Sequence, residues 1–459
     1  MLSSRAFRIL SLGAAIALTL AACGGGSGTP TPPPAPVNPL ERDTSFGTAG
    51  EARFTMGPLG GYIGATTAQS DGKLLLAGYR TLQTGTDLTK PRNELFVRRL
   101  LANGQADAAF GQAGETVFSV LGNDNVQGIL VQPDGKIVVV LWVIEPCNAG
   151  IPIGSCFSAA GILAKVGTSL VRLNADGTLD RSFGNQGVMI EYIGPQRSGP
   201  APTVALQPDG KLLMLRTTSD HLLHFDSWKL HRYLPNGSAD PAFSGGQAVS
   251  SRCTADGQAI GLQPDGRIIV AGAGYGQGQA RFCIERLMPD GQADTSFPVT
   301  WSNISMQAMA LRVLTNGDIQ LAGPSADAAG WRLIATRYDA AGAQRKDYGT
   351  DGVAYLPAVG STGAYDIHHV SIDTAGGVLA ASALKLSTDP STYQRNWLKL
   401  TSSGQPDTAF APGGILAGAV VPASYAAAME WIVDPQGRWI TVDGNGSESV
   451  VTRFKGTQP

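Results

Sequence analysis

The sequence is poor in charge and close to neutral overall. Lys and Arg total 34, Asp and Glu total 36, and charged residues make up only 15% of the 459 residues. Nucleic acids and anionic membrane surfaces are bound through clusters of Lys and Arg, which this composition does not supply. The charge balance therefore excludes nucleic acid as a partner, while an apolar content of 43% permits a real core.

Residue patterns that carry catalysis or hold metals are also scarce. The chain has five histidines, and the pair His221 and His224 has neither an HExxH pattern nor a partnered carboxylate. The cysteines lack CxxC spacing, and the Asp-Gly turns lack the alternating oxygen ligands of an EF-hand loop. No GxSxG motif, phosphate-binding loop or dinucleotide fingerprint stands out. The sequence predicts no catalytic residue, no metal and no cofactor.

Long hydrophobic runs are missing except at residues 9–20, which follow two arginines and are too short to span a bilayer. This run leads into the sequence LAAC ending at Cys23, which resembles the lipobox of bacterial lipoproteins. The resemblance implies that residues 1–22 are a lipoprotein signal peptide, removed as Cys23 becomes the lipidated amino terminus. Several acyl chains anchor a protein stably to a membrane. Gly24, where Asp would signal inner-membrane retention, favours the outer membrane in a two-membrane host.

Residues 23–39 comprise Cys23 and a Gly/Ser-rich then Pro-rich tether, expected to be extended and semi-rigid. No other linker-like stretch follows, so residues 40–459 are interpreted as one domain. No helix-length amphipathic stretch is obvious there, and 59 glycines and 28 prolines suit many short strands joined by tight turns. The composition predicts an all-β fold.

Two turn motifs alternate along this domain. The first reads Gln-Pro-Asp-Gly or a variant, and ends at Gly72, Gly135, Gly210, Gly266, Gly317, Gly376 and Gly437. The second reads Asp-x-x-Phe, begins at Asp43, Asp107, Asp180, Asp240, Asp294 and Asp407, and is shortened at Asp347. Such turns supply the positive φ that hairpins need, and we expect the recurring Phe to pack as a wedge between units. Self-similarity at a fixed period predicts a repeat architecture.

Each repeat contains four short β-rich runs, called A, B, C and D, which is the pattern of a β-propeller blade. The 420 residues from 40 to 459, divided by seven, give 60 residues a blade. The chain begins with an orphan D run at 50–56 and ends with orphan A, B and C runs at 428–433, 439–442 and 449–454. The sequence therefore predicts a single seven-bladed propeller, closed by pairing the N-terminal strand with the last three strands.

The motifs also resemble the delta-60 repeat propellers of bacterial secreted and surface proteins. The resemblance rests on the QPDGK turn, on the apolar B strand ending in Ala-Gly at Gly78 and Gly272, and on the Asp-x-x-Phe-Gly turn. It covers nearly all of residues 40–459, with departures such as Pro298 and Tyr348 concentrated late in the chain. It implies a propeller at the cell surface and no common reaction.

The predicted topology places the A–B and C–D turns on one face and the variable B–C and D–A loops on the other. Variable loops on a rigid scaffold commonly carry function. Candidate ligand-binding residues near these loops are Trp142, Phe157, His221, His224 and Trp228. Candidates in A strands beside the central channel are Arg312, His369 and Glu430. The alternative is that these are solvated loop residues, core edges or a hydrated channel lining.

Four cysteines follow Cys23, and export to an oxidising space favours disulfides. Four cysteines allow three pairings. The topology predicts Cys147–Cys156 within the longest loop and Cys253–Cys283 between neighbouring blades.

These features predict a lipid-anchored, monomeric binding module of the bacterial cell envelope. Its partner would be an envelope protein or a glycan, bound through the variable face. The alternative is a propeller hydrolase or lyase with its site at the channel mouth, because a fold does not dictate a reaction.

Overall fold

The computed structural model describes residues 38–82, 92–121, 124–144, 157–158, 161–162, 166–194, 202–219, 226–253, 255–276, 279–302, 304–327, 330–356, 365–386, 392–422, 430–444 and 446–456. Within these residues the chain forms seven four-stranded antiparallel sheets and one small two-stranded ladder. The fold is the predicted all-β, seven-bladed propeller.

The first four blades follow one another along the chain in the strand order A to D. Blade 1 contains β2 (Gly61–Ala68), β3 (Leu74–Leu82), β4 (Arg92–Leu100) and β5 (Glu115–Phe118). Blade 2 contains β6 (Asn125–Val131), β7 (Ile137–Ile144), β10 (Val166–Leu173) and β11 (Val188–Gly194), with β8 (Phe157–Ser158) and β9 (Gly161–Ile162) as the small ladder. Blade 3 contains β12 (Thr203–Leu206), β13 (Leu212–Ser219), β14 (Asp226–Tyr233) and β15 (Val249–Ser250). Blade 4 contains β16 (Ala255–Leu262), β17 (Ile268–Gly276), β18 (Gln279–Leu287) and β19 (Thr300–Trp301).

The last three blades complete the circle. Blade 5 contains β20 (Ala310–Val313), β21 (Ile319–Asp327), β22 (Gly330–Tyr338) and β23 (Val353–Leu356). Blade 6 contains β24 (Tyr365–Ile372), β25 (Val378–Lys385), β26 (Thr392–Leu400) and β27 (Ile415–Pro422). Blade 7 combines β28 (Glu430–Val433), β29 (Trp439–Gly444) and β30 (Glu448–Phe454) with β1 (Glu51–Thr55) from the start of the chain. Short 3-10 turns at Ser244–Gly246 and Pro412–Gly414 precede two of the D strands.

The ring closes as predicted, because β1 pairs antiparallel with β30 as the outermost strand of blade 7. Arg453 on β30 donates from Nε to the carboxylate of Asp43 at 2.8 Å and from Nη2 to the Ser45 hydroxyl at 3.0 Å. The same guanidinium also donates to the Ala102 carbonyl of blade 1. One side chain therefore joins the last strand to the first turn and to the neighbouring blade.

The core lies between the blades. The B strands are apolar and buried on both faces, as in Ile137–Ile144, where only the last residues reach partial exposure. Leu95 and Phe110 of blade 1 share one cluster with Ile137 and Leu141 of blade 2. Each interface between consecutive blades, called a seam here and numbered by its blades, is therefore a layer of interdigitating side chains.

Within the described residues, the chain has no helix whose length and hydropathy would let it cross a membrane.

Candidate functional site

The recurring Asp and Phe residues form a structural unit that repeats around the ring. In blade 2, the Nε of Arg172 donates to Asp180 at 2.8 Å, and its guanidinium lies 4.6 Å from the centre of the Phe183 ring. Lys136 approaches the same carboxylate at 3.1 Å, and Arg172 also donates to the Pro235 carbonyl of blade 3. The same Nε–carboxylate distance of 2.8 Å recurs in Arg99–Asp107, Arg232–Asp240, Arg286–Asp294 and Arg453–Asp43.

These aspartates are held ionised by their surroundings. The Ser296 hydroxyl, followed by a backbone hydrogen bond and Arg286, lowers the pKa of Asp294 to about 2 against the opposing effect of burial. A carboxylate committed to fixed donors in this way is a scaffold element rather than a general base. The prediction that the Asp-x-x-Phe residues build the repeat agrees with this geometry.

Blade 5 departs from the pattern by exchanging charges. Arg345 takes the place of the aspartate, since its backbone N–H donates to the Arg337 carbonyl at 2.9 Å just as Asp180 does to Arg172. Asp318 takes the place of the lysine, and the two side chains pair at 2.9 Å. The shortened motif therefore starts at Arg345 and not at Asp347. Blade 5 keeps the ion pair that Lys136 and Asp180 form in blade 2, but with the acidic and basic residues exchanged.

The recurring Phe is the predicted wedge between blades. Phe183 is fully buried, and its ring fits against the C–D turn of blade 3 at Gly237. A Cβ at Gly237 would lie 2.9 Å from Phe183 Cε2, and this glycine has a φ of +85°, so only glycine fits. The backbone N–H of Gly184 donates to the Asn236 carbonyl at 2.8 Å across the same seam. The motif-bearing face thus consists largely of blade-to-blade joints.

Of the residues predicted on the variable face, some lie outside the described residues and others are partly or fully buried. Cys23, Cys147, Cys156, His221 and His224 lie outside the described residues, and for Phe157 only the backbone in β8 is described. Trp142 is half-buried in β7, opposite Thr168. Trp228 is only 1% exposed and packs in the core with Leu215 and Leu230. Trp228 is therefore a core residue, and its ring is not accessible to a ligand.

The three channel candidates contact three different seams. Arg312 is exposed on β20 and donates to the Ile372 carbonyl of blade 6 at 3.0 Å. His369 on β24 has its ring centre 5.3 Å from that of Trp431 in blade 7, and burial lowers its pKa to about 4. Burial raises the pKa of Glu430 to about 7, and the charge of Glu430 in turn helps to raise the pKa of Tyr62 in blade 1. They do not converge on one constellation, and the described residues contain no group of three or more potential metal ligands among His, Cys, Asp and Glu.

The disulfide Cys253–Cys283 is present and links blade 3 to strand β18 of blade 4, which is the pairing expected from the topology. The buried carboxylate of Glu285 reinforces the same seam. It accepts hydrogen bonds from the Ser251 hydroxyl at 3.0 Å and from the Arg252 guanidinium at 3.0 Å. Seam 3/4 is therefore joined covalently and by ion pairing.

A cleft of about 580 Å³ opens at seam 6/7. Blade 6 contributes Arg395, Trp397 and residues 417–419 and 421, while blade 7 contributes strands β29, β30 and β1. Its size is within the range of small-ligand sites, about 300–1,000 Å³. We call this space the seam cleft.

Blade 6 differs from other blades at one recurring position beside the seam cleft. Eight residues after the aromatic residue of the C–D turn, three other blades place a side chain against the next blade. The Arg98 guanidinium lies 4.2 Å from the centre of the Phe54 ring. A carboxylate oxygen of Glu191 lies 3.2 Å from His231 Nε2, and the Ser251 hydroxyl donates to the Glu285 carboxylate. In blade 6 this position is Gly418, where a Cβ would come within 2.4 Å of the Trp397 ring. The register of β26 and β27 also shifts here, so that Arg395 lies opposite a bulge formed by residues 418 and 419.

Seam 2/3 shows what the filled arrangement looks like. Glu191 of blade 2 pairs there with Arg216, with His231 and with the Tyr233 hydroxyl of blade 3. Burial, with the charge of Glu191, raises the pKa of Tyr233, and burial lowers the pKa of His231. Seam 2/3 is thus occupied by a polar cluster of Glu191, Arg216, His231 and Tyr233.

A buried ion pair forms the floor of the seam cleft. The Arg395 guanidinium of blade 6 binds the Asp443 carboxylate of blade 7 through both of its terminal nitrogens. Arg395 is 7% exposed and Asp443 is 9% exposed. At seam 1/2 the equivalent positions are Leu95 and Leu141, both fully buried. Seam 6/7 thus has a buried charge pair where seam 1/2 packs two leucines, and a buried ion pair is weak evidence of a contribution to stability.

Trp397 adds an aromatic ring to the floor, and two further tryptophans pack behind it. Trp397 stacks on Trp439 with ring centres 5.9 Å apart, and Trp431 lies 6.1 Å from Trp439. Trp397 is 3% exposed, and its indole N–H has no hydrogen-bond partner among the described residues. A buried donor without a partner costs about 1–3 kcal/mol.

Charged side chains surround the mouth of the seam cleft in a paired arrangement. Glu51 accepts from Arg42 at 2.8 Å and from Arg53 at 2.7 Å. Arg53 also reaches Glu448 at 3.0 Å. The mouth is therefore polar but locally balanced in charge.

Sequence reasoning missed Arg395, Trp397 and Asp443, although a signal was present. When the C strands are aligned on their recurring Arg or Lys, Arg395 stands at the position of Leu95, Thr168, Trp228, Phe282, Leu333 and Ser449. A charged residue at a position that is elsewhere mostly apolar marks an altered seam. The cleft also lies between blades, whereas the loops of the variable face are largely outside the described residues.

Comparison with known proteins agrees with the repeat architecture. A family model described as a domain of unknown function (DUF5122) beta-propeller matches residues 69–110, 163–183 and 263–297. This match supports a propeller repeat family. The matched segments include the turns that carry Phe110, Phe183 and Phe297 in blades 1, 2 and 4. A search of curated protein sequences gives no match.

Several solved structures match most of this chain at low sequence identity. Sqt1 from Chaetomium thermophilum is 16% identical, with a TM-score of 0.42 over 88% of this chain and 98% of that one. The polysaccharide lyase Uly1 is 10% identical, with a TM-score of 0.44 over 86% and 90%. The β-propeller domain of the trilobed protease from Pyrococcus furiosus is 10% identical, with a TM-score of 0.41 over 87% and 95%. At such identities and scores these structures say nothing about the ligand or activity of this chain.

Proposed function

We propose that this chain is a lipid-anchored binding protein of the bacterial cell envelope, and that the seam cleft is its ligand site. The observation that carries the proposal is the combination of an open space with a buried Arg395–Asp443 pair at a single seam of the repeat. The ligand would be a part of an envelope protein or glycan small enough for a cleft of about 580 Å³. The protein would act as a monomer.

The lipid anchor is proposed from the sequence. The lipobox ending at Cys23 follows a short apolar run, and the residues after Cys23 form a Gly-rich and Pro-rich tether. Two or more acyl chains would hold the propeller stably at a membrane, and the tether would keep it away from the lipid surface. Gly24 favours the outer membrane if the host has two.

The alternative, a hydrolase or lyase at the channel mouth, rests on Glu430. A carboxyl group with a pKa of about 7 suits general acid or base catalysis at neutral pH. However, Arg312 and His369 engage other seams, so the described residues supply no partner that would make Glu430 part of a catalytic set. Binding is the better supported function.

The test compares two tryptophan substitutions on one strand. Ala417 lines the seam cleft and is exposed, while Val420 on the same strand is exposed and does not line it. The full-length lipoprotein, purified in detergent, is used to capture envelope components, and both proteins and released glycans are identified. We expect one component to be retained by the wild type and by Val420→Trp and lost by Ala417→Trp. Equal retention by both variants would show that the ligand does not use the seam cleft.

Lipid attachment at Cys23 is tested by a separate experiment. Growth with a labelled fatty acid should label the wild type and leave a Cys23→Ala variant unlabelled and in the soluble fraction. Membrane association of Cys23→Ala equal to that of the wild type would contradict lipid anchoring without affecting the proposal for the seam cleft.

A further inference from the structure

The charges of the seam cleft are already neutralised by one another. Glu51 is shared by Arg42 and Arg53, and Arg53 also pairs at 3.0 Å with Glu448 beside the cleft. Arg395 is bound by Asp443 through two hydrogen bonds, so three carboxylates balance three guanidinium groups. An anionic ligand would have to displace a carboxylate from a guanidinium, and a cationic ligand would have to displace a guanidinium from a carboxylate. Breaking a buried pair by losing one partner costs about 3–5 kcal/mol. A neutral ligand avoids this cost.

Paired charges still have hydrogen-bonding capacity. A carboxylate can accept about four hydrogen bonds, and a guanidinium carries five N–H donors in a planar fork. The Asp443 carboxylate, which accepts two hydrogen bonds from Arg395, therefore keeps further acceptor positions at the floor of the cleft. Hydroxyl groups match such a surface because each one both donates and accepts.

Apolar side chains, some of them short, form much of the remaining lining of the cleft. Trp397, Val421 and Phe454 border the space, and the short side chains of Ala417 and Ala419 leave it open. A pyranose ring has apolar C–H faces that can pack on such walls while its hydroxyls point to the polar floor. The indole N–H of Trp397 is buried and has no partner among the described residues, so a sugar oxygen would accept from it after a small movement of the side chains that cover it.

From these features we infer that the seam cleft binds a neutral saccharide unit of an envelope or extracellular glycan. This inference rests on the proposed binding function and specifies the ligand class of the same site. It commits to uncharged sugars, because every described charge that lines the cleft has an opposite charge as its partner.

The test uses the full-length lipoprotein in detergent on an array of saccharides. The probes are neutral oligosaccharides of glucose, galactose, mannose and xylose, with uronate-containing and sulfated oligosaccharides for comparison. The best neutral probe is then titrated calorimetrically at low and at high salt. We expect a dissociation constant that is unchanged by salt, because no net charge is exchanged. Ala417→Trp should weaken binding at least about tenfold, and Val420→Trp should leave it unchanged.

A second variant protects the test against misfolding of Ala417→Trp. Trp397→Phe removes the indole N–H while keeping an aromatic ring, and should weaken binding about fivefold, the effect of one hydrogen bond. Melting curves check that each variant is folded.

The outcomes separate this inference from the proposed function. Preference for acidic saccharides with salt-sensitive affinity would overturn the neutral-sugar assignment. Failure to bind any saccharide, with envelope capture still abolished by Ala417→Trp, would overturn this inference and leave the proposed function standing. Loss of both effects would overturn both.

Discussion

At the scale of single residues, the informative positions are those where one blade differs from the other six. Arg395 and Asp443 form a buried ion pair at one seam, and Gly418 leaves that seam without an inserted side chain. The Arg–Asp pairs of the C–D turns recur around the ring and belong to the scaffold. A residue that breaks a repeat at a structural cost is a better indicator of function than a residue that maintains it.

The cost of the buried pair can be measured. Arg395→Leu leaves Asp443 buried without its partner, and we expect the free energy of unfolding to fall by about 3 kcal/mol in urea denaturation. The double variant Arg395→Leu/Asp443→Leu copies the side chains of seam 1/2 and should recover most of that loss. Both variants should fail to bind the ligand. A double variant as unstable as the single one would show that the ion pair is needed for folding.

Glu430 provides a prediction with a defined pH dependence. Burial raises its pKa to about 7 from 4.5, so the folded protein favours the neutral acid. The contribution of the neutral carboxyl is complete below the unfolded pKa and is lost as pH rises through about 7, where the carboxylate must be buried. Glu430→Gln should therefore be more stable than the wild type at about pH 8.5, by on the order of 1–3 kcal/mol, and equal to it at about pH 4. Melting temperatures at both pH values test this, and an equal difference at both would contradict a titrating Glu430.

At the scale of elements, the C–D turn is the unit that joins blades. Its Asp binds the Arg of its own C strand, its Phe fits against the glycine of the next turn, and the Arg reaches the next backbone carbonyl. Strand β1 repeats this arrangement across the termini, with Asp43 and Phe46 preceding it and Arg453 on β30. The N-terminal segment is thus both a strand and a joint.

Removing this element should open the ring. Deletion of residues 40–58 removes β1, the fully buried Phe46 and the partner of Arg453, and leaves blade 7 with three strands. Loss of the Phe side chain alone costs about 3–5 kcal/mol, so we expect the melting temperature to fall by roughly 10 °C or more. A chain that starts at Asn38 serves as the control. An unchanged melting temperature after the deletion would rule out the closure.

At the scale of the whole molecule, stability is distributed over seven seams that differ in their chemistry. Seam 3/4 is the one with a disulfide among the described residues, and Glu285 with Arg252 forms a buried pair beside it. Each seam covers blade faces that an open ring would expose.

The disulfide should contribute measurably to this whole-ring stability. It closes a loop of 30 residues in sequence, for which the loss of chain entropy in the unfolded state gives about 3–4 kcal/mol. Cys253→Ala/Cys283→Ala should lower the unfolding free energy by this amount, and a reducing agent should lower that of the wild type similarly. A wild-type unfolding curve that does not respond to reductant would contradict the assignment.

Much of the architecture could be predicted from the sequence because the domain consists of sequence repeats, each of which forms one blade. Turn residues such as Gly135 and Gly237 and the aromatic Phe183 act locally or between neighbouring repeats, so a fixed period in the sequence becomes a fixed period in space. The blade number, the closure by β1 and the disulfide Cys253–Cys283 follow from that regularity. The departure at Arg345 was harder to see, because the ion pair with Asp318 preserves the structure after both charges have changed places.

The sequence by itself determined a closed toroid of seven similar sheets, while lipid attachment at Cys23 stays a prediction. Only the tertiary structure decided that Arg395 meets Asp443, that Trp397 lies over Gly418, and that Trp228 is core rather than surface. These contacts join strands that are distant in the chain and depend on which side chain fills each seam. The filling of a seam is a property of two blades packed together, which neither repeat encodes alone.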